Sequence, residues 1–106
     1  MKRGEVWWAA LDPTRGSEIR KKQPVAVLTI DAVNRARRTV VVVPLSSSPT
    51  PRPPITVAVP SAGQDSVAVC DQVRALDKGR FTTQLGTLSR DDLRAVEAGV
   101  RTILGL

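Results

Sequence analysis

The run Thr39-Val40-Val41-Val42-Val43-Pro44-Leu45-Ser46 constrains the fold more than any other part of the chain. Most of its side chains branch at the β carbon, which restricts them in a helix and suits them to a pleated surface. It predicts a strand, with Pro44 near its end or at an edge because proline has no N–H to give to a ladder. Pro24–Ile30 is apolar almost without interruption over strand length, the pattern of a central strand covered on both faces. Further strands are expected at Gly4–Leu11, closed by Asp12-Pro13, at Ile55–Val59, at Ser66–Cys70 running on through Arg74, and at Gln84–Leu88. Asp31–Arg38 reads as a basic connection with room for one helical turn, and Asp77–Phe81 as a helical turn or bend.

The end of the chain changes period. Leu93, Val96, Val100, Ile103 and Leu104 recur at helical spacings, with Ser89 as N-cap and Asp91 and Asp92 in the first turn, where the helix dipole favours negative charge. Gly99 costs about 1 kcal/mol relative to alanine inside such a helix, so it marks a close contact. Strands first and a helix last predict a mainly β fold: a curved antiparallel sheet or small barrel, plugged or flanked by the C-terminal helix. A length of 106 residues fits one domain spanning 1–106.

Net charge and missing residue types narrow the chemistry. A formal charge of +6 and a pI near 10.7 favour acidic partners, nucleic acid first and acidic proteins second. The chain has no histidine, and Cys70 is its single cysteine, which excludes an internal disulfide, multi-cysteine zinc sites and cleavage by paired imidazoles. No apolar run approaches the roughly 18–20 residues of a membrane span, and Met1-Lys2-Arg3 does not lead into a signal-like stretch, so a cytoplasmic protein is expected. Phosphate-binding glycine loops, nucleophile elbows and acidic two-metal clusters are missing. What remains is basic and hydroxyl residues after strand ends, in loops expected from Asp12 to about Gln23 and from Ser46 to Pro54. Both loops are expected to rim one groove.

Arg3-Gly4-Glu5-Val6-Trp7, followed by Leu11-Asp12-Pro13, Gly16-Ser17-Glu18 and Pro24-Val25-Ala26-Val27-Leu28, resembles the opening of MazF/PemK-type toxins. Asn34, Val43-Pro44-Leu45-Ser46-Ser47, the block Asp71–Arg80 and Leu85-Gly86 fall in that family's order, so the resemblance covers essentially the whole chain. It implies an SH3-like antiparallel barrel (CcdB/PemK type) with a C-terminal helix, and a homodimer. It also implies a toxin of a type II toxin–antitoxin system, a sequence-specific endoribonuclease that cuts single-stranded RNA and is held inactive by an acidic, MazE-like antitoxin. No metal or cofactor is implied: the RNA's own 2′-hydroxyl attacks, leaving a 2′,3′-cyclic phosphate and a 5′-hydroxyl.

Such a reaction gathers negative charge on the phosphorane oxygens, where a preorganised donor is worth about 2.7–4 kcal/mol in comparable sites. The family places an arginine just before the proline that opens the second strand, and a threonine or serine at the end of the third. Ser46 matches the second position; the first is Gln23, which can donate but carries no charge. Arg20 and Lys22 are the nearest cations, either standing in for the arginine or acting as solvated charges that attract the backbone. Glu18 is a candidate general base, or the ion-pair partner of Arg15 or Arg20. The resemblance further implies RNA contacts from the first loop (Glu18, Lys21), from Ser47, and from Asp71, Gln72 and Arg74 on one strand, with Arg74 equally suited to an ion pair with Asp77 or Asp71. Of Trp7 and Trp8, one belongs in the core and the other at a surface serving the dimer. Two alternatives stand beside this reading. One is a gyrase-poisoning toxin of the CcdB group, against which the ending Leu104-Gly105-Leu106 counts, since that group ends Trp-Gly-Ile. The other is a family member that binds RNA or antitoxin without cutting, which Gln23 keeps open.

Overall fold

In this computed structural model the described residues are 1–11 and 22–106. In chain order they form β1 (Glu5–Ala10), β2 (Lys22–Val27), α1 (Asp31–Ala36), β3 (Thr39–Ser47), β4 (Thr56–Ala58), β5 (Ser66–Val69), β6 (Arg74–Asp77), β7 (Phe81–Thr87) and α2 (Arg90–Leu104). Tight 3-10 turns lie at Pro60–Ala62, Cys70–Gln72 and Lys78–Arg80. The strands form one seven-stranded sheet in the order β4-β5-β3-β2-β1-β7, with β6 also paired to β3, and every pairing is antiparallel. The expected mainly β fold with a C-terminal helix is present; the sheet is not closed, since among the described residues β4 and β7 do not pair.

Alternation along the central strands divides the core between the two faces. Ala26, Val43 and Leu45 point toward α2 and pack with Val6, Val57, Cys70 and Val96, while Val25, Val27, Val40 and Val42 point the other way and pack with Ala9 and Leu76. Val25, Ala26 and Val27 are all fully buried, as a strand covered on both faces requires. Each such valine contributes roughly 1.5–3 kcal/mol of hydrophobic burial. Trp7 lies on the second face, edge-on to Phe81 with ring centroids 6.1 Å apart, whereas Trp8 remains 36% exposed.

The expectation of one strand from Ser66 through Arg74 is corrected. β5 pairs with β3 at Leu45–Ser47 and β6 pairs with the same edge at Thr39–Val42, but between them the register slips by the length of the three-residue turn Cys70–Gln72. Proline chemistry explains the break. Leu28 N–H donates to the Val41 carbonyl at 2.9 Å. Ladder alternation then makes Ala26 and Val43 a hydrogen-bonded pair and turns the nitrogen of Pro44 to the opposite edge, where it has no proton to give. Pairing lapses there and the passing chain folds into a turn. Asp71 and Gln72 therefore sit on that turn, and Arg74 alone of the three is on a strand.

The helix begins and ends as its residues dictate. Ser89 Oγ accepts from Asp92 N–H at 3.1 Å, and Gly105, at φ 73°, takes the left-handed closing position. Leu93, Val96, Val100 and Ile103 pack on the core; Leu104, expected on the same face, is 54% exposed. Gly99 marks the close contact its sequence position predicts: a Cβ there would lie 2.9 Å from Cys70 Sγ, 3.1 Å from Val57 Cγ2 and 3.2 Å from the Pro54 carbonyl oxygen. Gly99→Ala would gain about 1 kcal/mol of helix propensity. Overpacking against a backbone carbonyl costs about 1–3 kcal/mol, and the crowding comes from three sides, so the net change should be destabilising. A urea titration with a midpoint at or above the parent's would refute this. Burial, with Asp71 nearby, pushes the Cys70 thiol up to about 11, so it behaves as a small apolar group rather than a nucleophile.

The motif Arg3–Trp7 proves to be a clasp. Gly4, at φ 91°, donates to the Val27 carbonyl at 2.8 Å and accepts from Leu88 N–H at 2.8 Å, tying β1 between β2 and β7. Arg3 pairs its guanidinium with Glu97 at 3.0 Å and donates its N–H to Asp31 at 2.9 Å. Burial raises the Glu5 carboxyl, but hydrogen bonds from Lys2 N–H and the Trp7 indole, with the charges of the N-terminus and Lys2, outweigh it and hold the group below its ordinary value.

Candidate active-site cleft

Ser46 and Gln23 come together at neighbouring strand ends. The β2–β3 register runs Val25 opposite Pro44, and continuing it sets Gln23 opposite Ser46. The same ladder alternation directs the Leu45 carbonyl toward Pro24, which cannot donate to it. Gln23 fills that gap: its Nε2 donates to the Leu45 carbonyl at 2.9 Å. The glutamine amide thus replaces a missing ladder bond and fixes the backbone next to Ser46. Both residues lie in strands rather than in loops, as do Lys22 and Ser47, which corrects the loop boundaries expected from the sequence.

Ser46 and Ser47 are exposed and form one lip of a cleft of about 200 Å³. Its apolar wall is made by Val6, Pro24, Leu45 and Leu85. Ser61, Ser66 and Thr87 add further hydroxyls. Ser61 is committed: it donates to Asp92 Oδ2 through both N–H, at 2.7 Å, and Oγ, while its Oγ accepts from Ser89 N–H at 2.9 Å. The hydroxyls of Ser46, Ser47, Ser66 and Thr87 have no hydrogen-bond partner among the described residues. Lys22, exposed at the start of β2, is the described cation nearest along the chain to Gln23.

The remaining expected site residues are divided. Glu18, Arg20 and Lys21 lie outside the described residues, as does Arg15. Asp71 and Gln72 are exposed on the turn that follows β5, and Arg74 is exposed opposite Val42, toward the middle of β3 rather than its Ser46 end. Among the described residues Asp77 pairs with Arg38 at 3.5 Å, not with Arg74, and accepts from Gly79 N–H at 2.7 Å. The Gly79 bond first, then burial pulling the other way, then Arg38 and Arg80 together hold the Asp77 carboxyl below its ordinary value. The sequence reading missed Ser61, Ser66, Gly86 and Thr87 as cleft residues. Only the adjacency of Gly86 to Leu85, in a motif already singled out, pointed that way; the serines lie on segments whose approach to β3 depends on the tertiary fold.

This sheet, helix and cleft define a small β domain of a known toxin fold. Its fold matches a crystal structure of MazE-MazF from Deinococcus radiodurans with a TM-score of 0.85 at 27% identity, covering 100% of this chain and 96% of that one. A mycobacterial endoribonuclease in complex with its cognate antitoxin matches with a TM-score of 0.83 at 25% identity, covering 100% and 96%. In sequence the chain is 36% identical over 109 residues to Endoribonuclease PemK of Escherichia coli, covering 98% of this chain and 82% of that protein. The family described as PemK-like, MazF-like toxins of type II toxin-antitoxin systems matches residues 2–104, and the chain belongs to that family.

Proposed function

We propose that the chain is the toxin of a type II toxin–antitoxin pair and a sequence-specific endoribonuclease that cuts single-stranded RNA in the cytoplasm without a metal. The observation that carries this reading is the meeting of Ser46 and Gln23 beside a cleft with uncommitted hydroxyls, in a chain of this family. In the reaction the ribose 2′-oxygen bonds to the adjacent phosphorus, the bond to the 5′-oxygen breaks, and the 2′ proton is relayed to that leaving oxygen. Ser46 Oγ and the second Nε2 proton of Gln23 donate to the non-bridging oxygens, and Lys22, with Arg20, supplies the positive charge that Gln23 lacks. The remaining charge of the basic chain draws in the RNA backbone and, in competition, an acidic antitoxin. The chain works as a homodimer. The names of its relatives favour this over poisoning of gyrase.

Incubation with a long single-stranded RNA in EDTA should give discrete cuts whose ends carry a cyclic phosphate and a 5′-hydroxyl. Continuous degradation, or ends bearing a 5′-phosphate, would overturn the mechanism. A second reading, an RNA binder that does not cut, is favoured by the engagement of Gln23 with the Leu45 carbonyl; retention of RNA with no cuts would assign it.

A further inference from the structure

The pairing of β1 with β7 skips a residue. Val6 faces Gly86 and Trp7 faces Gln84, so Leu85 is an extra residue in the edge strand. Such bulges re-aim side chains, and this one leaves Leu85 53% exposed on the rim of the cleft. Gly86 beside it is open in a way the other cleft residues are not: a Cβ built there meets nothing within 4 Å, and its backbone does not need glycine. The bulge therefore keeps a void in the cleft that any side chain at position 86 would fill. Around the void are apolar surface from Val6 and Leu85 and free hydroxyls from Ser47, Ser66 and Thr87. A volume of about 200 Å³ is below the ~300 Å³ at which pockets for drug-sized ligands begin, so it suits one ring system rather than a length of chain.

We infer that the cleft receives one unstacked nucleobase next to the cleaved phosphodiester, and that the Leu85-Gly86 bulge decides which nucleotide is accepted there. A flat ring with polar edges matches an apolar slot rimmed by hydroxyls that both donate and accept. Ser46 on the same rim places that base beside the reacting phosphate. The inference rests on the RNA-cutting reading above and adds to it the place where sequence is read.

The test uses the full chain and a short RNA centred on a mapped cut, with a 2′-O-methyl group at the attacking position so that it binds but is not cleaved. Bases are removed one at a time and binding is followed by fluorescence anisotropy. Loss of one base adjacent to the cut should weaken binding about tenfold. Gly86→Val, whose β-branched side chain suits a strand, should weaken the intact RNA by a similar factor and the abasic RNA no further. Equal binding of every abasic RNA by the parent protein overturns the inference without using the variant, as do additive losses in a Gly86→Val protein that melts like the parent. A synthetic glutamate-rich peptide carrying one leucine is the control: if Gly86→Val abolishes its binding and leaves RNA binding intact, the cleft serves a protein partner and the inference fails. If the parent protein cuts no RNA, it is the function proposed above that fails; cuts with base-independent binding sink only the assignment of the cleft.

Discussion

Ser46→Ala should lower the single-turnover rate of RNA cleavage about a hundredfold, the loss expected when one preorganised donor is removed from a developing oxyanion. Stability should stay within about 0.5 kcal/mol of the parent, because the Ser46 side chain is exposed and bonds to nothing among the described residues. That combination separates chemistry from folding. A variant that cuts at the parental rate would remove Ser46 from the site. Gln23→Arg is the converse change. An arginine can keep a donor on the Leu45 carbonyl and present further N–H groups, with a full charge, toward Ser46, so cleavage should speed up about tenfold if charge is what the site lacks. No gain would mean that another cation already fills the role.

Asp92→Ala should cost about 3 kcal/mol in a urea titration with unchanged slope. Asp92 is only 8% exposed, and its carboxylate accepts from both the backbone and the hydroxyl of Ser61. Ser61 in turn accepts from Ser89 N–H, so one carboxylate fastens the turn Pro60–Ala62 to the start of α2. Its removal strands buried donors at about 1–3 kcal/mol each. Asp91→Ala is the matched control: it removes the same charge from the same helical turn, but the side chain is exposed, so only the dipole contribution of about 0.3–1 kcal/mol is lost. Equal losses from the two variants would show that Asp92 acts through charge alone.

The parts of this fold that could be read in the sequence are those set by local chemistry. Branched side chains fixed β3, unbroken apolarity fixed β2, and Ser89 with the three- and four-residue spacing fixed α2. The strand predicted through Arg74 failed because its break depends on Pro44, a residue of a different strand, whose missing proton is felt across the sheet. The site was half legible. Ser46 and Gln23 were found through family order, but that Gln23 makes up for the donor missing at Pro24 emerged only from the ladder alternation. Ser61, Ser66 and Thr87 reach the cleft from segments that no periodicity ties to β3, and Gly86 matters for the space above it, which a sequence does not display. The family motifs, conversely, turned out to be mostly architecture: Arg3–Trp7 clasps four elements together, and Asp77 caps the turn Lys78–Arg80.

β3 keeps one partner along β2 but changes partner at Pro44 on its other edge, so the strand works as a hinge pin between two plates. Ser46 and Ser47 ride on the small plate with β4 and β5, while Gln23 rides on the large one with β1 and β7. The angle between the plates sets the spacing of the two site residues. Side chains that wedge the plates apart, such as Val57 and Val67 in the small one, therefore tune the reacting geometry without ever touching RNA.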